Sequence, residues 1–180
     1  MASAKAVMFG AHHQFICLMS TELKVGDPAP DFETTALGGA FGAGLAVRLS
    51  DFAGKHLVLY FYPKDDTPGC TVQACGIRDK WPDFQQLDAV LFGVSTDSLA
   101  SHRAFIEKYG LPFPLLSDED GKIVRSYGVW VEKNFYGQKS MGTERSTFVI
   151  GPDGRIEAIF RRVKPDEHAA QVIAALASPA

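Results

Sequence analysis

Two stretches of this chain are apolar at nearly every position, and the remaining pattern is arranged around them. Leu57-Val58-Leu59-Tyr60-Phe61 and Ala89-Val90-Leu91-Phe92-Gly93-Val94 have no polar face, so each reads as a strand buried on both sides of a sheet. Between them Val72, Cys75, Trp81, Phe84 and Leu87 recur near helical spacing. This predicts a helix over 72–87, with Pro82 imposing a kink or starting a second helix. Strand, helix and strand form a βαβ unit.

The alternation continues downstream. Ser98 caps a helix through Ala104, Phe105, Ile106 and Tyr109, and Gly110 stops it. Pro114-Leu115-Leu116 reads as a short strand, and Gly121 to Tyr127 as a turn or two of helix. Ser146-Thr147-Phe148-Val149-Ile150, the turn Gly151-Pro152-Asp153-Gly154 and Arg155 to Phe160 read as a hairpin. Pro165, at a first-turn position, opens a last helix through Val172, Ile173 and Leu176. Upstream, Phe32 to Ala36 and Val47-Arg48-Leu49 flank a glycine-rich connection from Gly38 to Gly44. No Gly-Lys-Ser/Thr ending follows those glycines, so they read as a hairpin turn and not as a phosphate cradle. The expected fold class is α/β, a mixed central sheet flanked by helices with an N-terminal hairpin.

Composition narrows the function classes. At 180 residues, 46% hydrophobic and 22% charged, with a net charge of -3, the chain suits one soluble domain. Its 18 Lys and Arg form no basic cluster, which argues against a nucleic-acid partner. No apolar run approaches a membrane span, so no membrane partner is expected. Three cysteines at irregular spacing do not make a disulfide-stapled secreted scaffold, and a reducing, cytoplasmic location is expected. Residues 1–23 read as an N-terminal extension without function and 24–178 as the domain. Within the extension, residues 1–18 are either unstructured or follow a start placed too early. Cys17, His12 and His13 lie there, with no further metal ligand nearby.

The chemistry concentrates where the first buried strand ends, in Tyr62-Pro63-Lys64-Asp65-Asp66-Thr67-Pro68-Gly69-Cys70-Thr71-Val72-Gln73-Ala74-Cys75. A cysteine delivered by a Pro-Gly turn to a helix start meets unpaired N–H donors and the positive end of the backbone dipole, and both favour thiolate. Thr67 is placed to fold its hydroxyl back toward the Cys70 sulfur, or to cap the helix. Pro63 and Pro68 stiffen the loop, Pro63 shields one side from water, and Gly69 permits close backbone approach. Arg145 supplies a permanent positive charge if the strand Ser146 to Ile150 lies beside Tyr60-Phe61-Tyr62. Cys75 is either a second redox thiol or a core residue.

The stretch Pro63-x-x-x-Thr67-x-x-Cys70 matches the peroxiredoxin active-site signature, and Pro68-Gly69-Cys70-Thr71-x-x-Ala74-Cys75-x-x-Arg78-Asp79 resembles the peroxiredoxin Q, or bacterioferritin comigratory protein, branch. The likeness runs from about Lys24 to Ala177 and includes Gly93-Val94-Ser95, Asp97 and Arg145-Ser146-Thr147-Phe148. The resemblance implies a thioredoxin-like fold and a thiol peroxidase, with no metal, flavin or other cofactor. It implies Cys70 as peroxidatic cysteine, Cys75 as resolving cysteine in a Cys70-Cys75 disulfide, and Thr67, Arg145 and Pro63 as supports. The implied partners are a peroxide substrate and thioredoxin or glutaredoxin as reductant, with a monomer or weak dimer as the assembly.

Other residues receive structural readings. His56, His102 and His168 read as satisfied surface histidines, and Trp81, Phe84, Phe105 and Trp130 as core or pocket wall. Arg78 and Asp79 read as a solvated helix face or a local brace. Two rival functions share the fold. A disulfide reductase normally separates its cysteines by two residues, whereas four stand between Cys70 and Cys75. A non-catalytic binding module retains the fold without the thiolate environment.

Overall fold

Strand β3 (His56–Phe61) organises the molecule, because both of its faces are covered. Leu57, Leu59 and Phe61 enter one apolar cluster with Ile123, Val124, Tyr127 and Phe148. Val58, Tyr60 and Tyr62 enter another with Ala74, Ile77, Phe105 and Val172. The apolar run seen in sequence is therefore the middle of a three-layer arrangement. The computed structural model describes residues 22–178. Cys17, His12, His13 and most of the expected extension lie outside them, and Leu23, assigned to that extension, packs against the first cluster.

Strands β1 (Glu33–Leu37) and β2 (Leu45–Arg48) form the N-terminal hairpin expected from the sequence. Helices α1 (Pro68–Asp79) and α2 (Trp81–Gln85) lead to β4 (Ala89–Ser95), which pairs parallel with β3. Pro82 thus belongs to a second helix. Helix α3 (Leu99–Tyr109) starts at Ser98, whose hydroxyl accepts from the Ser101 N–H, and ends at Gly110 in the left-handed conformation. After it come β5 (Leu115–Ser117) and α4 (Lys122–Ser126). Strands β6 (Trp130–Phe135) and β7 (Gln138–Thr143) make a separate two-stranded ribbon, and β8 (Ser146–Ile150) and β9 (Ile156–Phe160) close the main sheet before α5 (His168–Ala177).

The main sheet has the order β2-β1-β5-β4-β3-β8-β9. Strand β8 runs antiparallel to β3 with Phe61 opposite Ser146, so the residue preceding β8 arrives at the end of β3 that feeds α1. This register is what carries Arg145 to the cysteine.

Three details differ from the sequence expectation. The β6-β7 ribbon was unforeseen, since its residues alternate without an apolar stripe. Its tip is Tyr136-Gly137, both at positive φ (49° and 84°), the geometry of a tight hairpin turn. Helix α5 begins at His168 and not at Pro165, which lies in the preceding turn. His102 and His168 are completely buried, so the surface reading fails for both. His56 is half-buried and 3.3 Å from the Glu157 carboxylate. Arg78 is a brace, donating to the Tyr109 carbonyl at 2.7 Å and so tying α1 to α3.

Candidate active site

Helix α1 begins as its sequence dictates. Thr67 is extended at φ -93°, Pro68 follows at the first helical position where no N–H is needed, and the Thr71 N–H closes the first turn onto the Thr67 carbonyl at 2.8 Å. Cys70 therefore lies in the first turn, where backbone N–H groups lack helical partners and the dipole favours negative charge. Its side chain is buried, and Cys70 and Cys75 are both free thiols.

Arg145 reaches this sulfur. Its Nη2 donates to Cys70 Sγ at 3.4 Å, and its Nη1 donates to Gln73 Oε1, one turn along the buried face of α1. The guanidinium crosses Gly69 so closely that a Cβ there would stand 3.1 Å from Nη2, a tight contact that would push the guanidinium by a few tenths of an ångström. Neighbouring Glu144 is occupied by Arg161 and Arg162 at 3.7 and 3.4 Å. Among the described residues Arg145 has no carboxylate partner, and its charge is available to the sulfur and to an oxygen bound beside it.

The other expected residues are placed less uniformly. Thr67 neither caps α1 with its side chain nor donates to the sulfur: its hydroxyl donates to the Lys64 carbonyl at 2.9 Å, closing the loop on itself. Pro63 stands two residues after the end of β3 and is half-buried. Cys75 lies on α1 away from the buried stripe of Cys70, Gln73, Ala74 and Ile77, and is half-buried. The structure thus joins Cys70 and Arg145 and holds Cys75 apart.

Gln73 and Lys133 were not singled out from sequence, and His168 was read only as a surface histidine. Gln73 carried one signal, its position three residues after Cys70, which places it on the same helix face. Lys133 donates to the Thr143 carbonyl at 2.6 Å, and burial with the repulsion of Arg145 holds its ammonium below the usual lysine range. His168 shares a hydrogen bond with the Thr147 hydroxyl at 2.7 Å, and burial together with Arg145 lowers its pKa to about 3, so the ring is neutral. Tyr60 lies against the His168 ring at 5.5 Å, and burial, reinforced by the negative charges of Asp65 and Cys70, pushes its phenol well above the ordinary range. Tyr60 and His168 therefore bring no charge of their own, and Arg145 is the cation that donates to the sulfur.

Known proteins resemble the chain over most of its length. The AhpC/TSA family matches residues 25–159. The chain is 47% identical over 154 residues to Peroxiredoxin Bcp of Bacillus subtilis, covering 86% of this chain and 95% of that protein. It is 43% identical over 146 residues to Peroxiredoxin Bcp of Escherichia coli, covering 81% and 90%. Among solved structures, peroxiredoxin Q of Xylella fastidiosa superposes with a TM-score of 0.79 at 37% identity, covering 87% of this chain and 97% of that one. Bacterioferritin comigratory protein of Xanthomonas campestris, a structure described for its alkyl peroxide reduction activity, gives 0.74 at 40% identity, covering 81% and 90%. The family match, the identity to these relatives and the shared fold, each over most of the chain, lead to one assignment: the chain belongs to the AhpC/TSA family, as a thiol peroxidase of its peroxiredoxin Q/Bcp branch.

Proposed function

We propose that Cys70 is the peroxidatic cysteine and Cys75 the resolving cysteine of a peroxidase acting on hydrogen peroxide and organic hydroperoxides. The observation that carries this reading is the Arg145 guanidinium, free of any carboxylate partner among the described residues, donating to Cys70 Sγ at 3.4 Å at the start of α1. The Cys70 thiolate attacks the terminal peroxide oxygen. The S–O bond forms as the O–O bond breaks, and the departing alkoxide or hydroxide takes a proton to leave as alcohol or water. Arg145 and the unpaired N–H groups of the first turn stabilise the charge moving onto oxygen. Cys70 is then a sulfenic acid. The Cys75 thiol condenses with it, releasing water and forming the Cys70-Cys75 disulfide.

An external dithiol protein reduces that disulfide by exchange, becoming a disulfide itself. We assign this role to thioredoxin or glutaredoxin, acting on a monomer or a weak dimer in a reducing, cytoplasmic setting. No helix among the described residues is long and apolar enough to cross a membrane, which is compatible with that setting. Thr67 supports the site by closing the loop onto Lys64, and Pro63 by stiffening its entry.

The test is peroxide consumption at stoichiometric enzyme without reductant. The parent is expected to consume one equivalent and Cys70→Ser none, since a hydroxyl cannot supply the anion. Cys75→Ser is expected to consume one equivalent and then to resist recycling by thioredoxin. Turnover by Cys70→Ser would end the reading, and thioredoxin-driven turnover of Cys75→Ser at the parental rate would remove Cys75 from it.

A further inference from the structure

Helix α3 contributes no residue to the site above, yet it holds the active-site loop at two consecutive carboxylates. Asp65 is buried, and its carboxylate accepts from three side chains: the Tyr62 hydroxyl at 2.6 Å, the Ser101 hydroxyl at 2.7 Å and His102 Nδ1 at 2.8 Å. The Asp65 N–H donates to Asp97 Oδ2 at 2.9 Å, and the Ser95 hydroxyl holds that same oxygen at 2.7 Å. Asp66 follows at φ 53° and accepts from Lys108 and Tyr109 at the far end of α3. The Asp66 pair is exposed and contributes little. The Asp65 contact is buried, where removing one partner strands a polar or charged group.

His102 makes this contact demanding. Its second nitrogen lies 3.1 Å from the Leu116 carbonyl on β5. The ring therefore meets an oxygen at each nitrogen, which sets its orientation between the loop and β5. The groups facing the pair are Tyr62 just after β3, Ser95 at the end of β4 and Asp97 beyond it, Ser101 from α3 and the Leu116 carbonyl from β5. The loop is thereby tied to α3 through the Asp65 carboxylate, to β5 through His102, and to Asp97 after β4 through the Asp65 N–H. From Asp65 the chain reaches Cys70 through Asp66 in its left-handed conformation, Thr67 closed onto Lys64, and the rigid Pro68. Little slack is available to absorb a displacement before it reaches the sulfur.

We propose that Asp65 and His102 act together as positioning residues for the peroxide step, pinning residues 62–67 so that Cys70 meets Arg145 in attacking geometry. The proposal rests on the reading of Cys70 as the peroxidatic cysteine. A displacement near 1 Å at a reacting centre costs up to about 100-fold in rate, so loss of the pin slows attack by about 10- to 100-fold. It does not slow disulfide closure, which requires the adjoining helix α1 to open.

The experiment compares Asp65→Asn, His102→Gln and the double variant. In a Cys75→Ser background the second-order rate constant of Cys70 with hydrogen peroxide is measured per titrated thiol. With Cys75 present, the rate of disulfide closure is measured. Each single variant is expected to slow attack by about 10- to 100-fold, the double to be no slower than the slower single, and closure to be unimpaired. Hydrogen exchange on residues 63–69 is expected to quicken in all three. Attack rates equal to the parent's despite a lowered thermal midpoint would reduce the pair to a purely structural role and overturn the proposal. Multiplying losses in the double variant would overturn it as well, since the two residues would then act separately. If Asp65→Asn does not fold, His102→Gln carries the test through the same split between attack and closure. Cys70→Ser, measured alongside, separates the two ideas: peroxide consumption surviving there defeats the underlying mechanism, whereas unchanged rates in the loop variants defeat only the pin.

Discussion

Replacing Gly76 by alanine is expected to slow disulfide closure without touching peroxide attack. Cys70 and Cys75 stand five residues apart on α1. On an ideal helix that spacing gives about 7.5 Å of rise and 140° of rotation, hence a Cα separation of roughly 8 to 9 Å. A disulfide tolerates roughly 4.4 to 6.8 Å, so the bond forms only after one to two turns of α1 have come apart. Gly76 lies within the segment that must open. Its φ is not positive, and an added Cβ meets nothing within 4 Å. Alanine therefore stabilises the helix by about 0.5 to 1 kcal/mol without a clash. The unwound form gains none of this, and at 1.4 kcal/mol per factor of ten its population and the closure rate fall by about 2- to 5-fold. The Cys70 sulfenic acid then waits longer beside excess peroxide and is more readily oxidised to sulfinic acid. Stopped-flow mixing with hydrogen peroxide resolves the attack and closure phases, and mass spectrometry counts the sulfinic product. Hydrogen exchange on residues 70–80, including buried Ala74 and Ile77, compares the reduced and disulfide forms. A closure rate equal to the parent's in a variant whose thermal midpoint has risen would refute the reasoning, as would equal exchange protection in the two redox forms.

Two further outcomes follow from the same geometry. Arg145→Met keeps the length of the side chain but removes the charge donated to Cys70 and Gln73, so single-turnover peroxide reduction is expected to slow by about 10- to 1000-fold, the range for one lost stabilising donor. Arg145→Lys restores only part of the rate because it lacks the planar fork, and a parental rate in Arg145→Met would place this arginine outside the chemistry. His168 has its pKa lowered from 6.5 to about 3, first by burial and then by Arg145. A depressed value means that its contribution to stability is complete above pH 6.5 and is lost as pH falls from there toward 3. Thermal midpoints recorded from pH 7 to 4 should therefore decline, and His168→Gln should flatten that decline. An unchanged pH slope in the variant would show that the ring does not drive it.

How much of the molecule was legible in the chain depended on the range over which each feature is encoded. The β3-α1-β4 unit was readable because burial on two faces makes a strand apolar throughout, while a helix between strands keeps its own period. The start of α1 was readable because Pro68 and Gly69 act on the backbone locally. The ribbon β6-β7 was not, because two strands with little buried surface need no apolar alternation, and its Tyr136-Gly137 turn is the one short signal they leave. The burial of His102 and His168 was equally hidden, since a lone histidine carries no periodicity, and its acceptor neighbours come from other elements.

By itself the sequence determined the cysteine, the turn that presents it and the helix whose dipole favours its thiolate, since all of these are set by neighbours within a few residues. Tertiary structure alone decided that Arg145, 75 positions along the chain, stands 3.4 Å from the sulfur, because that contact follows from the antiparallel register of β8 on β3. It also drew Asp65 into the grasp of α3. Contacts of this kind arise when strands and helices settle into a common core, where the direction of a side chain is fixed by packing against elements distant in sequence and not by its own neighbours.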